Sequence, residues 1–159
     1  MEPKIPRRGP IGKHARTAMA RRRTGLKARC ACGETRPTAL IPGSVPMLCA
    51  ECQRRQQGKA ADDDHHPFGK ANSPVTIPIP ANDHRAELSE AQQDWPTRTR
   101  ENPDGSPALK AAGIIRGFVD MIVYLMKKGV LWVAEMLERL DEMLVERLGR
   151  TWWTTMELA

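Results

Sequence analysis

Three of the four histidines in this 159-residue chain lie between positions 65 and 84. Asp64-His65-His66-Pro67-Phe68-Gly69-Lys70-Ala71-Asn72-Ser73-Pro74 leads into the apolar run Val75-Thr76-Ile77-Pro78-Ile79-Pro80 and then into Asn82-Asp83-His84-Arg85. The order reads as a strand end, a loop, a short strand and a helix start. It puts two imidazoles at the edge of one strand and a third on the first turn of a helix beside it. Imidazole ligates divalent metals and titrates near neutrality, so this set can hold one metal and leave one histidine as a base. Neighbouring strand residues point to opposite sides, so His65 and His66 are interchangeable between ligand and base at this level. Asp64 is expected to orient one of them as a carboxylate acceptor. Asp62 and Asp63 read as a solvated face, and Asn82 or Asp83 as a helix N-cap.

Four cysteines fall in two close pairs, Cys30-Ala31-Cys32-Gly33 and Cys49-Ala50-Glu51-Cys52, joined by a hairpin-length segment with a turn at Pro42-Gly43-Ser44. Thiolates suit tetrahedral zinc, and a close pair supplies two ligands from one tight turn, so Cys30, Cys32, Cys49 and Cys52 are expected to build a zinc ribbon. Four thiolates fill the coordination sphere, which makes this zinc structural. Paired cysteines of this kind suit metal ligation in a reducing compartment better than disulfides. With no apolar run behind the N-terminal charges, the expected location is cytoplasmic.

The His-His, Asn, His order resembles the HNH endonucleases, a family with a ββα-metal fold. Asn82-Asp83-His84-Arg85 followed by a helix is similar to that family's final histidine segment. The resemblance covers roughly residues 60–95, or 30–95 with the cysteines. It implies His66 as the general base, His65 and His84 as ligands of a catalytic Mg2+, Mn2+ or Zn2+, and Asn72 as the residue that fixes His66 or its loop. The implied activity is metal-dependent hydrolysis of DNA phosphodiester bonds. The alternative is a non-catalytic zinc-finger module that binds nucleic acid or a protein. Its histidines would then cap the fold or hold a second structural zinc with Asp64 or Asp83.

Charge points to the same class of partner. Residues 1–29 carry ten Lys and Arg against Glu2 alone, which leaves −3 on the remainder of a chain whose total is +6. A basic arm on a mildly acidic body suits a polyanion, so DNA or another nucleic acid is the expected partner. Arg21, Arg22, Arg23, Lys27 and Arg29 are the expected phosphate contacts. Pro3, Pro6, Gly9 and Pro10 argue against regular structure at the start of the arm, and a basic helix is expected from Lys13 to Lys27.

Four segments must position these groups: a basic flexible arm over 1–29, the zinc ribbon and HNH-like ββα module over 30–95, a linker over 96–107, and an amphipathic helical hairpin over 108–150. The fold class is therefore a small α+β protein, zinc ribbon plus ββα-metal module, followed by a C-terminal helical hairpin. Leu88, Ala91 and Trp95 share one helix face, expected to cover the zinc-bearing part. Ser106-Pro107 reads as the cap and first turn of the next helix. Arg116, Asp120, Lys127 and Lys128 interrupt the apolar run that follows, so no transmembrane span is expected. A two-helix hairpin cannot bury so wide an apolar face alone, and self-association through these helices is expected.

Overall fold

Pro10 opens a helix rather than preventing one. The computed structural model describes residues 8–154, so positions 1–7 of the expected arm, Pro3 and Pro6 among them, lie outside the described residues. Helix α1 runs Gly9–Thr24 with Pro10 in its first turn, where the missing N–H costs nothing. It is not a free arm. Arg16 Nε donates to Glu90 Oε2 at 2.7 Å and its Nη2 pairs with Asp94 at 3.2 Å, while the Gly9 amide donates to Asp94 Oδ1 at 3.1 Å.

The segment joining the cysteine pairs forms one antiparallel bridge, Leu40 with Cys49, in place of a strand ribbon. The Ile41 amide donates to the Leu48 carbonyl at 2.8 Å and the Ala50 amide to the Ala39 carbonyl at 2.9 Å. The second pair then opens helix α2 (Ala50–Gln56). Cys30, Leu40 and Cys49 form the buried core here, with Ala28, Met47 and Cys52 against it.

Strands β1 (Asp62–His65) and β2 (Ile77–Pro80) pair antiparallel as a two-stranded sheet, Asp63 opposite Ile79 and His65 opposite Ile77. Two strands leave both at an edge, which is where Pro78 and Pro80 are tolerated. Helix α3 (Ala81–Asp83) follows at once and continues through a π-helical turn, His84–Leu88, into α4 (Ser89–Gln93). Neither Asn82 nor Asp83 caps this helix. The Asn82 side-chain oxygen accepts the Glu51 amide at 3.1 Å, and Asp83 pairs with Arg36 at 2.8 Å. Both side chains tie the helix back to the cysteine-bearing segment.

The stretch expected as a linker is folded. Helix α5 (Thr97–Glu101) buries Thr99, and Asn102 ends it in the left-handed conformation at φ 36°. The Asn102 side chain then accepts the Ser106 amide at 2.8 Å, and Ser106 Oγ accepts the Leu109 amide at 3.4 Å as α6 (Pro107–Gly129) begins. Trp95 faces the loop after β1 and α6 rather than the cysteines: its indole N–H donates to Asp120 Oδ2 at 2.8 Å, and it lies against Gly69.

The chain divides into two compact units, 1–121 and 122–159. In the second, α7 (Leu131–Leu148) follows α6 after the single residue Val130. Leu131, Trp132, Leu137 and Leu140 of α7 stand exposed. Among the described residues no helix is long and apolar enough to cross a membrane.

Candidate metal sites

The four cysteines converge from two segments. Cys30 and Cys32 sit in a turn closed by the Gly33 amide on the Cys30 carbonyl (2.9 Å), with Gly33 at φ 100°, a conformation that favours glycine. Cys49 caps α2, its sulfur accepting the Cys52 amide at 3.5 Å. All four Sγ atoms lie within 4.8 Å of one another. Tetrahedral zinc with Zn–S bonds of about 2.3 Å needs sulfurs roughly 3.8 Å apart, so the cluster fits a zinc ion. Burial works against ionising Cys30, but amide N–H groups of Cys32 and Cys49 and the thiols of Cys32 and Cys52 outweigh it and lower that thiol to about 7. Burial and then the neighbouring thiols push Cys52 upward. One readily formed thiolate amid resisting thiols is a set that a cation stabilises by displacing protons.

The histidines converge separately. His65 ends β1 with its side chain buried, and its ring meets that of His84 edge-on, centroids 5.1 Å apart. Burial, then the charges of His84 and His66, lowers His65 to about 4, so its imidazole stays neutral at physiological pH. His84 Nδ1 lies 3.2 Å from Asp63 Oδ2. An ionised carboxylate only accepts, so the proton sits on Nδ1 and the Nε2 lone pair is left for a ligand. The other Asp63 oxygen accepts from Arg54 of α2, whose Nε also donates to the Ala60 carbonyl at 2.7 Å. Strand alternation explains why Asp63 and not Asp64 meets a histidine, and that histidine is His84 rather than His65 or His66. Asp63 and His65 share one face, whereas Asp64 points away and is exposed. That alternation, legible once the strand is recognised, was the signal for Asp63.

His66 follows the strand, with Nδ1 buried and without a hydrogen-bond partner among the described residues, as is His65 Nδ1. Its carbonyl accepts from Gln92 Nε2 at 2.7 Å and from the Gly69 amide at 3.0 Å. Asn72 is buried and acts on the loop: Nδ2 donates to the Thr99 carbonyl at 2.8 Å and to the Phe68 carbonyl at 3.2 Å. Helix α6 closes over the same loop. A Cβ on Gly113 would stand 2.5 Å from Asn72 Nδ2, and one on Gly117 would overlap the Pro67 carbonyl.

Among the described residues, only the cysteines bring three or more candidate ligand side chains together. His65 and His84 stand as an edge-on ring pair that no third candidate ligand joins among the described residues. Arg21, Arg22, Arg23, Lys27 and Arg29 are all exposed, and none enters an ion pair among the described residues. Comparison of the chain with protein-family models, with curated proteins and with solved structures finds no match.

Proposed function

We propose that the chain is a metal-dependent DNA endonuclease of the HNH type, hydrolysing phosphodiester bonds at His65, His66 and His84. The observation that carries this reading is the pairing of the His65 and His84 rings at 5.1 Å, across a strand pair and the helix that follows it. The order strand, loop, strand, helix is that of the ββα-metal fold. A bound Mg2+, Mn2+ or Zn2+ supplies positive charge for the phosphate and the leaving oxygen.

The protein's own groups do the rest. His65 is kept neutral by burial, and Asp63 holds the His84 tautomer that frees Nε2. His66 has Nδ1 turned into the protein, so Nε2 is the nitrogen that meets a water and takes its proton. Asn72, Gln92 and α6 hold the loop that carries His66, so that Nε2 does not wander from the attacking position. Cys49 and Cys52 would anchor α2 to a zinc ion held with Cys30 and Cys32, and α2 brings Arg54 to Asp63. The exposed basic row of Arg21, Arg22, Arg23, Lys27 and Arg29 supplies the phosphate contacts that hold DNA without reading its sequence.

Supercoiled plasmid incubated with the full chain and Mg2+, Mn2+ or Zn2+ tests this directly. Nicking by the wild type, lost in His66→Ala while DNA is still retained at low salt, is the expected result. Retention without cleavage under every metal would instead identify a zinc-bearing binding module.

A further inference from the structure

In the second unit, the end of α6 and all of α7 present an apolar face that nothing among the described residues covers. Met126, Val130, Val133, Leu137, Leu140 and Leu144 follow one another at alternating spacings of four and three, the pattern of a coiled-coil seam. The break at Val130 is slight: its amide still donates to the Met126 carbonyl at 3.1 Å, as in a continuing helix. The exposed parts of this seam and its flanking Ile122, Val123, Met136 and Met143 come to roughly 800 Å² per chain, the share that one partner gives to a standard specific interface.

Charge decides which partner. Lys127 and Lys128 close α6, whereas α7 carries Glu135, Glu138, Asp141, Glu142 and Glu146 against Arg139 and Arg147, a net −3. A parallel second copy would set the charged flank residues Lys127 and Asp141 against the apolar Ile122 and Met136. An antiparallel one sets the basic end of α6 against the acidic α7, and does so twice, as a two-fold axis requires. The seam residues then meet in mixed layers, Leu137 with the second copy's Val133, Val130 with Leu140, and Met126 with Leu144. That register places Lys127 at the flank opposite the second copy's Asp141. Trp152 already donates to Asp141 Oδ1 at 2.8 Å, which leaves Oδ2 to face the lysine.

We infer that residues 122–148 form an antiparallel two-fold interface with a second copy of this chain, flanked by two Lys127–Asp141 pairs. Sedimentation equilibrium of the full chain tests it, beside Lys127→Asp, Asp141→Lys and the double exchange. A wild-type dimer, about tenfold weaker in each single variant and restored in the double, is the expected result. A monomer at every concentration overturns the inference, as does a dimer that ignores the charge reversals or is not rescued by the exchange. Binding of the monomer to vesicles of mixed neutral and anionic lipid would also overturn it, by assigning the face to a membrane surface.

Discussion

Asp63 looks in the sequence like the middle of a solvated acidic run, yet it is the side chain that sets the His84 tautomer and receives Arg54. Asp63→Asn removes the charge that keeps the proton on Nδ1. In zinc-loaded protein, calorimetric titration with Mn2+ is expected to show affinity at the histidine site falling about tenfold, in the usual range for loss of a carboxylate behind a ligating histidine. Urea midpoints should move little by comparison. A second half-buried carboxylate, Asp120, gives a pH signature. Burial raises the Asp120 pKa, against the Trp95 hydrogen bond and Arg116, with Asp94 adding to the rise. A raised carboxyl makes the folded state hold its proton more tightly, so the ionised form costs stability at neutral pH and the cost fades as pH falls towards the ordinary value of 3.8. Asp120→Asn can still accept from the indole and should stabilise the protein by about 0.5 kcal/mol at pH 7. Unfolding curves should show that gain vanishing in acid. At this scale the ligand types were readable from the sequence, since His and Cys declare their chemistry. The partners were not, because Asp62, Asp63 and Asp64 differ only in which face of β1 each takes.

Helix α6 approaches the His66–Asn72 loop closely because Gly113 and Gly117, one turn apart, leave its surface bare. Gly117→Ala forces a methyl into the Pro67 carbonyl, and overpacking of this kind costs about 1–3 kcal/mol, partly offset by the better helix propensity of alanine. Chemical denaturation should show a net loss of roughly 2 kcal/mol, and amide exchange should show the loop opening first. An unchanged midpoint would mean that the helix does not rest on the loop. The two strands, the helix after them and the start of α6 at Ser106-Pro107 all follow from pattern and capping chemistry. The interval 96–107 did not read as structure because Pro96, Pro103 and Pro107 signal a break. They bound a short helix instead, held by contacts to Asn72 that lie 27 residues away in sequence. In α1, likewise, the prolines masked the first turn of a helix that was expected only from Lys13, and its anchoring acids, Glu90 and Asp94, come from a remote segment.

The fold of the first unit depends on its cysteines as much as on its apolar residues. Its buried cluster around Leu40 is largely sulfur, and Arg36 bridges Glu34 beside the first cysteine pair to Asp83 and Glu87 on the helix that bears His84. Removal of zinc is therefore expected to reach the histidines. Chelation at neutral pH should release about one zinc per chain and expose a molecule with reduced helical signal and lost protection at both Leu40 and His84. Release without any change at His84 would show that the two sites are independent. Charge segregation was legible at this scale, and so was the excess of apolar surface over 122–148. Periodicity reports which face of these helices is apolar, and says nothing of whether a helix turns back on itself or waits for another chain.

The π-helical turn at His84–Leu88 takes in one residue more than an α-helical turn would use. That surplus makes this stretch tolerant of losing one residue. Deleting Ala86 would return the turn to an ordinary α-helical one and leave His84 and Leu88 close to their present faces. A deletion elsewhere in the helix would instead rotate everything beyond it by about 100°. The turn at Pro42-Gly43-Ser44 is the opposite case, a surface loop in which added residues meet nothing. Variants of this chain that differ in length should lose a residue within His84–Leu88 before any other place in this helix, and should vary between the cysteine pairs.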